Sequence, residues 1–293
     1  MQITLSIINQ AMATSKKACI AFSGGTDSMI LLDIIHRHTK HRPLVIFADS
    51  QMEYPETEDF CRNIAEQYGA PFHVARADRT PEEQWKKQGW PMLGKVADRT
   101  WMRRHKGRDF GFKLDISSCC RNLKILPGRK LAKALGCDLQ ITGTRGSSDD
   151  RLRGMRTMKD GATHYVKVDK ITICNPLTGW TDTMGRRYRD RYNLPEHPAK
   201  ARGAVTIGCV ACGGGSQFTI SLFRLLRKTW PEAWWQYIVE IGMGEIILAI
   251  KWDAPLRQIR NIIENAGGIE KIAKERPWIF DFTSKHLLPG HDK

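Results

Sequence analysis

The stretch that most constrains this chain is Ala18–Ser28, where a short apolar run, Ile20, Ala21 and Phe22, leads straight into Ser23-Gly24-Gly25-Thr26-Asp27-Ser28. A helical pattern begins at Met29 and is carried by Ile30, Leu31, Leu32, Ile34 and Ile35. The apolar run predicts a buried strand, so the six residues form a strand-to-helix turn. A glycine pair there lets the backbone approach a bound anion closely, and the helix start offers unpaired N–H groups at its positive end. The hydroxyls of Ser23 and Ser28 add donors. The pattern predicts a phosphate cradle; the alternative is a tight turn in which Asp27 or Ser28 only caps the helix. No Gly-Lys-Ser/Thr follows the glycines, which excludes the loop of a γ-phosphate motor or kinase.

Strand-like segments recur at Cys19–Phe22, Leu44–Ala48, Phe72–Ala75 and Leu139–Thr142, with helical patterns at Met29–His38, Glu56–Tyr68 and Lys130–Leu135 between them. Such alternation predicts an α/β fold, a doubly wound parallel sheet with ligands beyond the carboxyl ends of its strands. Trp85–Lys113 breaks the alternation as a basic, Trp-bearing insertion. From Ser216 onward the pattern is helical, with Leu222, Phe223, Leu225, Leu226, Trp230, Trp234, Trp235 and Ile238 spaced as a core stripe. The expected division is therefore 1–215, an α/β domain, and 216–293, a small helical module.

The formal net charge is +15, and Lys86–Lys113 holds nine basic residues against Asp98 and Asp109. An excess of that kind suits DNA or RNA, or an anionic nucleotide, though it also serves solubility. No apolar run approaches the roughly 20 residues that span a bilayer. Met1–Asn9 lacks a basic n-region and a cleavage pattern, so the expectation is a cytoplasmic protein with no membrane partner.

Of eight cysteines, Cys19, Cys61, Cys137 and Cys174 sit singly in apolar or helical patterns and read as small buried hydrophobes. Cys119-Cys120 and Cys209-x-x-Cys212 stand apart. A C-x-x-C turn presents two thiolates on one side, ready for one metal centre. Farther along, Thr142-Gly143-Thr144-Arg145 is followed by Arg151, two guanidiniums that suit a phosphate or sulfate; a solvated basic loop is the alternative.

Ser-Gly-Gly-x-Asp-Ser resembles the pyrophosphate loop of the adenine-nucleotide α-hydrolase superfamily. Asp49-Ser50 with Tyr54-Pro55-Glu56-Thr57, Thr142-Gly143-Thr144-Arg145, Asn175-Pro176-Leu177 with Trp180-Thr181, Leu194-Pro195 with Pro198, and Ile207-Gly208-Cys209 with Cys212 follow in order. Over about residues 15–215 the series resembles the phosphoadenosine/adenosine phosphosulfate reductase family. The resemblance implies that Ser23, Gly24, Gly25, Thr26, Asp27 and Ser28 hold the phosphates of ATP or a phosphosulfate, with Mg²⁺. It implies Asp49 on the nucleoside and Arg145 and Arg151 on the phosphate or sulfate. Members with a 4Fe-4S cluster use Cys-Cys plus Cys-x-x-Cys at a similar separation, which implies Cys119, Cys120, Cys209 and Cys212 as ligands, with Lys124 beside cluster and substrate. A zinc site and redox-active thiols are the alternatives.

The sequence also departs from the family. Ser50 stands for Thr and Gln51 for Gly. No cysteine follows Cys212, whereas sulfonucleotide reductases end in a Glu-Cys-Gly-Leu-His tail whose thiolate attacks sulfur. The resemblance therefore leans to the branch of ATP-pyrophosphatases of DNA phosphorothioation. The expected function is ATP-dependent activation of a nucleic acid for sulfur modification, with a sulfur donor or thiol reductant protein as partner. The alternatives are a sulfite-forming reductase and a non-catalytic nucleotide- or nucleic-acid-binding module.

Overall fold

The structure, a computed structural model, describes residues 1–93, 95–146, 157–212 and 222–282. It divides into two compact units, Met1–Ala77 with Leu123–Gly208, and Asp78–Asn122 with Cys209–Lys293.

The first unit runs α1 (Gln2–Ala13), β1 (Ala18–Ala21), α2 (Thr26–His38), β2 (Leu44–Asp49), α3 (Thr57–Gln67) and β3 (Phe72–Arg76). It resumes with helix Leu126–Ala134, β4 (Leu139–Thr142), β5 (Thr163–Val166), β6 (Ile171–Cys174) and helix Asp182–Tyr192. The sheet order is β3-β2-β1-β4-β6-β5. Every pairing is parallel except β5 with β6, an antiparallel edge that the strand pattern did not announce. The expected doubly wound α/β class holds. Alternate residues serve opposite faces, as strand geometry requires. Ile20, Val45 and Phe47 join one buried cluster, and Cys19, Leu44 and Ile46 the other. Both faces are covered, which is why these strands read as unbroken apolar runs.

Because β1 lies between β2 and β4, the connection reverses direction at β1 and β4. Their carboxyl ends flank the crevice where such sheets bind ligands. The loops Phe22–Gly25 and Gly143–Gly146 leave from those two strand ends. The helix after β1 starts at Thr26, three residues before the apolar pattern does, with Gly25 extended at its N-cap (φ −76°, ψ 160°). Thr26, Asp27 and Ser28 are thus the first helical turn rather than loop.

A buried carboxylate anchors α2. Asp33 has no exposed surface, and it accepts hydrogen bonds from Arg37 (3.0 and 2.8 Å), Tyr68 (2.7 Å) and Tyr188 (2.6 Å). Burial alone would raise its carboxyl, but these donors outweigh it and hold the group below the usual range. The interaction ties α2 to the end of α3 and to helix Asp182–Tyr192.

The second unit contains helices Pro81–Gln88, Lys95–Arg104 and Ile116–Cys120, then Leu222–Thr229, Pro231–Trp235, Met243–Lys251, Leu256–Asn265 and Ile269–Glu275. Phe223, Leu226, Trp230, Trp234 and Ile238 are buried, so the aromatic stripe is core as expected. Residues 78–122 and 209–212 group with the C-terminal helices. They share a core: buried Trp85 and Trp90 meet at 5.4 Å, and Trp85 meets Tyr237 at 6.2 Å. No single helix among the described residues is long and apolar enough to cross a membrane.

Candidate nucleotide site and cysteine pairs

The Ser23–Ser28 turn is organised by its own hydroxyls. Ser28 Oγ donates to the Gly25 carbonyl (2.9 Å) and accepts from the Ser23 N–H (3.3 Å), with Ser23 Oγ also at 3.3 Å. Neither Asp27 nor Ser28 caps α2; the helix has no side-chain cap. Its first N–H groups are therefore not claimed by a cap, as an anion cradle requires. Gly24 sits at φ +71°, and a Cβ there would meet Cys61 Sγ at 3.0 Å and the His197 ring at 3.2 Å. Both facts restrict that position to glycine.

Arg145, expected as a phosphate clamp, is 12% exposed and reaches across to the same turn. Its Nε lies 2.9 Å from Asp27 Oδ2, and its Nη1 pairs with Asp182. Burial works against its charge, but Asp182 and Asp27 outweigh that and strengthen it. Gly143, two residues earlier, approaches so closely that a Cβ would lie 2.8 Å from the Asp27 carbonyl carbon and oxygen and 2.9 Å from the Ser28 nitrogen. Arg151 lies outside the described residues.

Asp49 ends β2, as expected, but its carboxylate is engaged. Oδ1 accepts from the Gln51 N–H (2.7 Å), and Oδ2 accepts from Arg76 Nε (2.5 Å), while Arg76 Nη2 pairs with Glu58. Gln51 adopts φ +61°, the left-handed conformation that the family's glycine would take without strain. Lys124 donates to Glu53 Oε1 at 2.7 Å, and Ser50 Oγ donates to the same oxygen at 2.7 Å. Glu53, on the loop after β2, was not singled out from sequence.

His197, which lies between Pro195 and Pro198, was not singled out either. It is 2% exposed. Its Nδ1 accepts from the Ala199 N–H (3.1 Å) and its Nε2 faces Thr57 Oγ1 (3.2 Å). Burial lowers its basicity. With Gly24, Thr26, Met29, Leu194 and Pro195 it lines a small cavity against the Ser23–Ser28 turn.

All four paired cysteines fall in the second unit. Cys119 is buried and Cys120, Cys209 and Cys212 are half-buried, and none is in a disulfide. Cys209–Cys212 forms a tight turn, with the Cys212 N–H donating to the Cys209 carbonyl at 3.3 Å. Burial pushes the Cys119 thiol up to about 12; the Trp85 indole N–H opposes this, and the charges of Cys120 and Cys212 add to the rise. That indole donates to Cys119 Sγ at 3.4 Å, the kind of N–H···S contact that tunes thiolate-ligated metal. The donor set thus fits a metal cluster in its chemistry. Among the described residues, however, no three His, Cys, Asp or Glu side chains converge in ligating geometry. Cys19, Cys61, Cys137 and Cys174 are buried, as expected, but Cys19 and Cys137 are not isolated, since their thiols lie within hydrogen-bonding reach of each other.

The chain is similar to several known proteins. The family profile of the phosphoadenosine phosphosulfate reductase domain matches residues 17–214. Adenosine 5'-phosphosulfate reductase of Geobacillus kaustophilus is 27% identical over 193 residues, 66% of this chain and 71% of the relative. Phosphoadenosine 5'-phosphosulfate reductase of Alkalilimnicola ehrlichii is 27% identical over 191 residues, 65% of this chain and 68% of the relative. Among solved structures, phosphoadenylyl-sulfate reductase from Candida auris superposes with a TM-score of 0.48 at 20% identity, over 70% of this chain and 87% of that one.

Proposed function

The chain belongs to the phosphoadenosine phosphosulfate reductase domain family, and we propose that this enzyme cleaves the α–β phosphate bond of ATP to activate a nucleic acid for sulfur modification. The observation that carries the choice is the placement of thiols. Sulfite formation needs a protein thiolate free to attack sulfur. The four single cysteines are buried. Beyond Cys212 the described chain is a helical core, with Phe280 and Phe282 sealed inside, and carries no thiol. Adenylation needs no protein nucleophile.

In the proposed reaction an acceptor oxygen attacks the α-phosphorus, the bond to the α–β bridging oxygen breaks, and pyrophosphate leaves with the electron pair. The N–H groups opening α2 and the Ser23 and Ser28 hydroxyls face the phosphates across Gly24 and Gly25. Arg145 exchanges its carboxylate partners for the charge that builds on the leaving group, a role the family resemblance also gives Arg151. Asp27, released from Arg145, would help hold Mg²⁺, which neutralises phosphate charge when bound. Asp49 stands toward the nucleoside, and Lys124 adds positive charge. Cys119, Cys120, Cys209 and Cys212 would hold a 4Fe-4S cluster, which when bound supplies iron able to exchange electrons.

The names of the curated relatives favour a second reading, reduction of a phosphosulfate to sulfite. One experiment separates the two. Anaerobically purified protein is given ATP, with nucleic acid and a sulfide source, or either phosphosulfate with a thiol donor. The proposal expects pyrophosphate from ATP, lost in Asp27→Ala, and no sulfite. Robust sulfite formation, abolished by Arg145→Ala, overturns it in favour of the reductase.

A further inference from the structure

The second unit carries a charged surface that the nucleotide chemistry does not use. Arg103, Arg104, Lys106, Arg108 and Lys113 are all exposed around the end of helix Lys95–Arg104 and the turn that follows it. No described carboxylate is within ion-pair distance of Arg103, Arg104, Lys106 or Lys113, whereas Arg108 approaches Asp253 at 3.4 Å. The segment is built rather than loose. Trp101, His105 and Phe110 pack against one another, tilted or edge to face, with ring centres 4.0–5.3 Å apart, and His105 Nε2 lies 2.8 Å from Asp253. The Phe110 carbonyl accepts from the Leu256 N–H at 2.8 Å, which fixes the Trp252–Leu256 turn against it.

That turn presents an aromatic ring. Trp252, next to Asp253, is 47% exposed, and Asp253 holds φ +51°, a conformation that L residues adopt at a cost. Unpaired cations give a phosphate backbone its counter-charge, and an exposed indole gives an unstacked base its platform. We infer that this surface binds a single-stranded segment of nucleic acid, with phosphates on Arg103, Arg104, Lys106 and Lys113 and a base against Trp252. A duplex has no free base face for the indole. The inference rests on the proposed function for its biological sense, since it supplies the dock for the acceptor, but its binding chemistry stands apart.

The test is binding of the full chain to a fluorescent single-stranded oligonucleotide across a salt series. Replacing the four cations by Ala is expected to flatten the slope of log affinity against log salt by about three units. Trp252→Ala is expected to weaken binding about tenfold or more with the slope unchanged. The double charge reversal Arg103→Glu/Arg104→Glu, with the ATP-induced rise in Tm retained as the sign of an intact fold, guards against misfolding and is expected to abolish binding. An unchanged slope, or duplex bound as tightly as single strand with Trp252→Ala neutral, overturns the assignment. Nucleic-acid-stimulated pyrophosphate release that survives the cation variants would sink this surface but leave the proposed function standing. Binding here without pyrophosphate release under any condition would do the reverse.

Discussion

Asp27 Oδ2 and Arg145 Nε lie 2.9 Å apart, so one ion pair joins the turn after β1 to the loop after β4. Both residues flank the crevice where the sheet reverses direction. Asp27→Ala and Arg145→Ala should each abolish the rise in Tm that ATP produces by mass action, and the double variant should be no worse than the weaker single one. Without nucleotide, Arg145→Ala should cost only about 1 kcal/mol, because Asp182 is exposed and the pairs are partly screened. Thermal melts with and without ATP check both statements.

Gly143 makes the same junction sterically. A Cβ at that position would lie 2.8 Å from the Asp27 backbone, so Gly143→Ala should destabilise by about 1–3 kcal/mol and weaken ATP binding. Gly179, where an added Cβ meets nothing within 4 Å, is the control: Gly179→Ala should leave both melting and nucleotide binding close to wild type.

His197 gives a signed pH effect. Burial makes the folded-state imidazole less basic than the unfolded one, whose pKa is about 6.5. On acidification below that value the unfolded chain takes up a proton before the folded chain does, so stability falls until the folded pKa is reached. Tm measured from pH 7.5 to 5.5 should therefore drop more in wild type than in His197→Asn, whose amide can still accept from the Ala199 N–H. Equal slopes would mean that burial does not lower the basicity of His197 in the fold.

The strand-turn-helix around Ser23–Ser28 was legible in the sequence, because its strand, glycines and helix are neighbours in the chain. The start of α2 at Thr26 was missed because Thr26, Asp27 and Ser28 are not apolar, and periodicity marks a helix only where it buries a face. Gln51 looked like a departure from the family glycine, yet the backbone keeps the left-handed conformation, held by the Gln51 N–H to Asp49. The partners Arg76 for Asp49, Glu53 for Lys124 and Thr57 for His197 left no local signal, since each arises only when distant segments meet. The same holds for the second unit. Trp85 and Trp90 look like an insertion in the chain, and only the fold shows that they share a core with Tyr237.

The cysteine pairs make a separable prediction. Anaerobically purified protein should be brown, with about four iron and four sulfide per chain. Cys209→Ser should bleach it, whereas Cys61→Ser, a change at a buried single thiol, should keep the colour. Stoichiometric zinc without iron would contradict the cluster.

If the chain breaks the α–β bond of ATP, the α-phosphorus parts from the β-phosphate, and its fate can be followed. ATP labelled at that phosphorus is incubated with anaerobic protein, Mg²⁺, nucleic acid and a sulfide source, and the labelled products are separated. Cleavage at the α–β bond puts label in AMP or on the nucleic acid, with one pyrophosphate for each, and none of this is expected in Asp27→Ala. Label recovered as ADP, at a rate that Asp27→Ala leaves unchanged, would contradict it.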